Sequence, residues 1–137
     1  MQCLVLKRKR ISKNMNRDIY ITIDLNDDLI RIPRVTINEL GCPEFIELLI
    51  HPAKRTLAIR ACSQGGAHTH RIKSTLLDSD ESFELHSRFL MKSLNNICGK
   101  LIEGKSFRIK GKIYEQRALA VFLLEDATPI SREEYQQ

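Results

Sequence analysis

The stretch "IRIPRVTINELGCPEFIELLIHPAKRTLAIRA", residues 30–61, decides how this chain is read. It begins and ends like a β-strand, yet it holds Pro33, Gly41 and Pro43 close together. Proline cannot donate to a sheet ladder, so Pro33 ends the strand "LIRI". Residues 34–40, "RVTINEL", are long enough for about two helical turns, and Gly41 is placed to close them in the left-handed conformation. "PEFIELLIH" then reads as a buried strand, "PAKR" as a turn and "TLAIRA" as the returning partner.

Working outward, "DIYITIDL" from Asp18 alternates, with Ile19, Ile21, Ile23 and Leu25 on one face and Tyr20, Thr22 and Asp24 on the other. "NDD" at 26–28 is turn chemistry, because these side chains bond their own backbone. Further along, the same order recurs more loosely. "SFELH" at 82–86 predicts a short strand, and Ser87 can cap a helix "RFLMKSLNNIC" ended by Gly99. Phe89, Leu90, Leu94, Ile97 and Leu101 would form its apolar stripe. "SFRIKGKIY" follows as a strand, "EQR" as a tight turn and "ALAVFLLED" as a strongly apolar last strand. Between the halves lies a polar connection that can hold one extra strand in "HRIKSTLL".

The expected class is α+β and β-rich, with two short helices and a two-copy pseudo-repeat. The expected divisions are a basic arm at 1–17, a first half at 18–62, a polar connection at 63–81, a second half at 82–130 and a tail at 131–137. If the halves share a core, Ile46, Leu48 and Ile50 are expected beside Ala120, Phe122 and Leu124.

The 137 residues suit one compact domain or two intimate halves. No run approaches the roughly 20 apolar residues that span a bilayer, so no membrane association is expected. "MQCLVLKRKR" lacks the order of a secretory signal, since its apolar run precedes the charges. Cys3, Cys42, Cys62 and Cys98 show no CxxC spacing and read as reduced thiols of a cytoplasmic protein.

The net charge of +5 is unevenly distributed. Residues 1–17 carry six basic residues, among them Lys7, Arg8, Lys9 and Arg10, and no acid, while the rest of the chain holds 16 bases against 17 acids. Such an arm suits phosphate contacts, which release counterions and add sequence-independent affinity. A second basic cluster spans residues 100–117, with Lys100, Lys105, Arg108, Lys110, Lys112 and Arg117 against two acids. Extended, "SFRIKGKIY" puts Phe107, Ile109, Gly111 and Ile113 on one face and Arg108, Lys110 and Lys112 on the other. Such a row is a solvated or edge-guarding surface or a phosphate track. Tyr and Phe total eight and stand mostly at apolar positions, which argues against a single-strand stacking platform.

The first half resembles the AbrB/MraZ-like (SpoVT-AbrB) swapped-hairpin module of bacterial transcription factors and antitoxins. The matching features are Ile32-Pro33 closing a strand, Leu40-Gly41 closing a short helix, and two strands around a turn. The resemblance covers roughly residues 18–62, with a looser second copy. It implies a β-barrel of interleaved hairpins, built between two chains as a homodimer or between two halves of one chain. It also implies double-stranded DNA binding through basic residues near the Ile-Pro strand and on the following helix, here Arg31 and Arg34. The sequence departs from the family where Asp28 and Leu29 replace a Gly-Arg pair and Ile37 and Asn38 replace paired arginines.

Catalytic constellations are not found. Cys62, His68 and His70 form C-x5-H-x-H, which lacks the tight pairs and fourth ligand of a zinc site. Neither His51 nor His86 stands beside a nucleophile with a paired acid. No enzyme activity, metal or cofactor is expected. Two function classes remain. One is a DNA-binding transcriptional regulator or nucleoid-type accessory protein of bacterial or mobile-element origin. The other is a small protein-binding inhibitor or accessory factor, of a phage or mobile-element anti-defence type, acting on a host protein or nuclease.

Overall fold

In the computed structural model, which describes residues 18–72, 82–98 and 106–130, the alternating stretches form strands of one antiparallel sheet. β1 (Ile19–Asp24) pairs with β2 (Leu29–Ile32). The Asp24 carboxylate accepts from the Asn26 N–H at 3.0 Å, and Asp28 takes the left-handed φ of 51° that turns the chain back. Pro33 then ends β2, and its carbonyl accepts from the N–H groups of Thr36 and Ile37 at 3.0 and 3.2 Å. Those bonds open α1 (Arg34–Glu39).

Helix α1 closes in a Schellman arrangement: Gly41 N–H donates to Asn38 O at 2.9 Å and Cys42 N–H to Ile37 O at 3.1 Å. Gly41 has φ 91°, which explains the glycine. Cys42 is disulfide-bonded, which corrects the expectation of reduced thiols at that position. Cys62 is free.

The second hairpin joins β3 (Phe45–His51) to β4 (Thr56–Cys62). β5 (Thr69–Arg71) lies on the other edge of β3, within the connection where an extra strand was expected. β6 (Phe83–His86) pairs with β2. α2 (Arg88–Cys98) follows, capped by the Ser87 hydroxyl, which accepts from Leu90 N–H at 3.1 Å. β7 (Ser106–Tyr114) turns through the 3-10 segment Glu115–Arg117 into β8 (Leu119–Leu123). The last apolar stretch does not stay extended to Asp126: Leu124–Asp126 is a 3-10 turn that brings β9 (Thr128–Pro129) back against β7.

The strand order is β5-β3-β4-β8-β7-β1-β2-β6, with β9 beside β7, and the sheet curls into a half-barrel. The β7–β8 hairpin thus stands between the two hairpins of the first half, with β7 bonded to β1 and β8 to β4. Ile46, Ala120, Phe122 and Leu124 share one core cluster, with Leu48 and Ile50 packed against it, although the strand paired with β8 is β4 and not β3. Leu57 and Ile59 of β4 face Phe122 and Ala120 across the ladder, and β3 lies one strand farther out. β3 has β4 on one edge and, over Phe45–Glu47, β5 on the other, so β4 stands between it and β8.

Among the described residues, ten of the 19 buried apolar side chains are isoleucines, a β-branched type that suits a pleated, half-buried surface. They share one cluster with Phe122, Leu94 and Met91. Two expectations about burial are revised. Phe89 is 80% exposed, and Met91 takes its place in the stripe of α2. In β3 only Ile46 is fully buried; Leu48 and Ile50, on the same face, are partly buried against the core. Among the described residues no helix is long and apolar enough to cross a membrane.

Candidate nucleic-acid interface

Strand alternation divides β7 cleanly. Phe107 and Ile109 are buried and Ile113 half-buried, whereas Arg108, Lys110, Lys112 and Tyr114 emerge on the opposite face. Successive members of this outward row are about 6.8 Å apart, twice the rise of an antiparallel strand. β7 lies near the middle of the sheet and is bonded on both sides, so the row sits on a rigid support.

Cross-strand register fixes the neighbours of the row. Arg108 stands opposite Thr22, and Thr22 opposite Arg31, which in turn faces Glu84. Arg31 and Glu84 close an ion pair at 2.7 Å. Farther along the sheet, Arg60 faces Glu47 and bonds its carboxylate, and that hydrogen bond raises the pKa of the Arg60 guanidinium. Arg71 lies 3.7 Å from Glu44, and Arg88 3.7 Å from Asp28. The flanking arginines are therefore matched by acids. Lys110 and Lys112 are exposed and make no ion pair with a described residue.

Arg108 is held differently. Its guanidinium lies 4.7 Å from the centre of the Tyr20 ring, a cation–π contact between diagonal neighbours on the same face. Thr128 of β9 donates its hydroxyl to the Arg108 carbonyl at 3.2 Å, fixing the strand from its other side. At the far end of β7, Tyr114, Glu115, Gln116 and Arg117 line an open hollow of about 410 Å³.

The expected site residues thus separate into groups. Arg108, Lys110 and Lys112 come together on one strand face, with Arg117 at its hairpin tip. Arg31 shares that face but is engaged by Glu84. Arg34 opens α1 and is not on this strand. Lys7, Arg8, Lys9, Arg10, Lys100 and Lys105 lie outside the described residues. Cys62 pairs across the ladder with Phe45 and His70 with Ile46, on opposite faces of β3. Among the described residues no three His, Cys, Asp or Glu side chains are grouped to hold a metal.

Sequence reasoning missed the company of the row. Tyr20 and Tyr114 stand on its face, and so do Leu119, Val121 and Leu123 of β8, because Lys112 pairs with Val121 and Tyr114 with Leu119. The signal was present: "LAVFL" is apolar at every position, whereas a strand with one wet face needs only every second residue apolar. No family model, curated protein or solved structure matches the chain.

Proposed function

We propose that this chain is a DNA-binding protein, a transcriptional regulator or nucleoid-type accessory factor, that contacts phosphates through the outer face of β7. The observation that carries the reading is the contrast within one surface. Arg31, Arg60 and Arg71 each lie beside an acid, while Lys110 and Lys112 at the centre have none among the described residues. Unopposed cations on a regular strand spacing suit a polyanion, and each phosphate neutralised adds affinity by counterion release. Arg117 and the basic residues 7–10 extend the same chemistry. DNA access goes with a cytoplasmic site of action.

The AbrB/MraZ-like resemblance gives the reading its regulator form, with the phosphate contacts moved from the Ile-Pro strand to β7. A homodimer belongs to the proposal: among the described residues the half-barrel ends at β6, and a second copy meeting that edge would continue the sheet. The experiment is binding of duplex DNA across a salt series, with sedimentation for the assembly. Affinity that falls steeply with salt supports the reading. Absence of salt-sensitive binding at about 50 mM salt, where electrostatic binding is strong, ends it.

A protein-binding inhibitor or accessory factor is the second reading. Leu49 and Leu123, 37% and 43% exposed, favour it, since outward apolar residues of this size mark contact surfaces when they are contiguous.

A further inference from the structure

Two chemically different tracks run side by side on the outer face of the sheet. One is the cationic row Arg108, Lys110 and Lys112 of β7. The other is the outward row Leu119, Val121 and Leu123 of β8, one strand away, or about 4.8 Å. Tyr114, 49% exposed, ends the first track directly opposite Leu119. Leu123 stands at the other end of the second track, beside Thr56 of β4. The core does not account for these apolar side chains, because Ala120 and Phe122 of the same strand already fill it.

Resting on the nucleic-acid reading above, we infer that this face takes single-stranded nucleic acid, with phosphates along Arg108, Lys110 and Lys112 and bases over Tyr114, Leu119 and Leu123. A duplex keeps the faces of its bases stacked inside and presents charged rails. Leucine and valine laid against such rails would lose water and gain no apolar partner. A single strand presents both surfaces at once, a charged backbone and bases with free π-faces that stack on aromatic and apolar side chains. Parallel cationic and apolar tracks complement that ligand and leave half of themselves unused on a duplex. The scarcity of aromatics argues against a stacking platform, but the fold gathers two of them, Tyr20 and Tyr114, on this one face. A guanidinium already lies over the Tyr20 ring. The open hollow beside Tyr114 and Arg117 gives a terminal base room to turn in.

The test uses the full chain and two labelled probes, an oligothymidylate and a mixed-sequence duplex of equal length, titrated by fluorescence anisotropy at several salt concentrations. The expected result is at least tenfold tighter binding of the single strand at equal salt. Tyr114→Ala should weaken that binding by about 5- to 150-fold, the range for losing one base–aromatic stack. It should leave the salt slope unchanged, while Tyr114→Phe retains affinity. Thermal melts of both variants should match the wild type, because Tyr114 is exposed and outside the core. If the duplex binds as tightly as the single strand and Tyr114→Ala changes neither, the inference falls and the phosphate reading of β7 stands. If neither probe shows salt-sensitive binding, both fall together, and the apolar track passes to a protein partner.

Discussion

The Thr36 hydroxyl stands in for a missing strand beside Tyr20. It donates to the Tyr20 carbonyl at 2.7 Å and accepts from the Tyr20 N–H at 3.2 Å. β2 stops at Ile32 because Pro33 cannot continue the ladder, so both Tyr20 backbone groups would otherwise lack a strand partner on that side. Three residues after the proline, the first turn of α1 returns a side chain that serves both. The contact also anchors Tyr20 under Arg108, so it links the start of the fold to the candidate site.

Thr36→Val keeps the shape and removes the hydroxyl, leaving two backbone groups unsatisfied. It should destabilise the protein by about 2–6 kcal/mol, since each buried orphan costs about 1–3 kcal/mol. Thr36→Ser should recover most of the loss. Urea unfolding of the two variants decides the matter, and equal midpoints for Val and wild type would show that the bonds contribute nothing.

Gly111 should tolerate no side chain. A Cβ there would lie 2.5 Å from the Phe122 ring and 2.7 Å from the Val121 carbonyl, and both belong to the neighbouring strand. Gly111→Val should cost about 1–3 kcal/mol by overpacking, read as a lowered melting temperature. Gly41→Val should lose about 1 kcal/mol or more by a different route, the strain of a β-branched residue at φ 91°.

Lys110→Glu combined with Lys112→Glu should weaken DNA binding across sequences. The slope of log affinity against log salt should flatten by about one unit for each phosphate no longer neutralised. The melt should stay close to wild type, because both side chains point away from Phe107 and Ile109. An unchanged slope would remove β7 from the interface.

Arg31→Ala should change that slope less than either lysine substitution. Its charge is already met by Glu84 at 2.7 Å, and a half-exposed pair of this kind contributes at most about 1 kcal/mol to stability. A drop in affinity larger than that of the lysine pair would return the interface to the Ile-Pro strand.

How much of this was legible follows from the physics of each signal. Local chemistry was readable: Pro33, Gly41 and Ser87 end, close and cap elements where their side chains and φ angles require. Alternation in "SFRIKGKIY" separated the cations from the core in advance. Strand order was not readable, because nothing in Leu57 or Ile59 says that Phe122 and Ala120, rather than residues of β5 or β7, will lie beside them. The site was half legible for the same reason. The cations share one strand, whereas Tyr20, Leu119 and Leu123 reach them only through pairings distant in sequence. The pairing of Arg31 with Glu84 depends on β6 choosing β2, which no motif announces.

The position of the β7–β8 hairpin also sets a timetable. The two first-half hairpins have no edge in common, and their joining waits for residues 106–123. Asp24 meets Ser106 and Ile19 meets Gly111, so the closing contacts span most of the chain, and loops of that length form late. Folding should therefore run in milliseconds to seconds, as in other domains dominated by distant strand pairing. A nascent chain halted before β7 would hold two separate apolar ribbons, the state most exposed to aggregation and to chaperone capture.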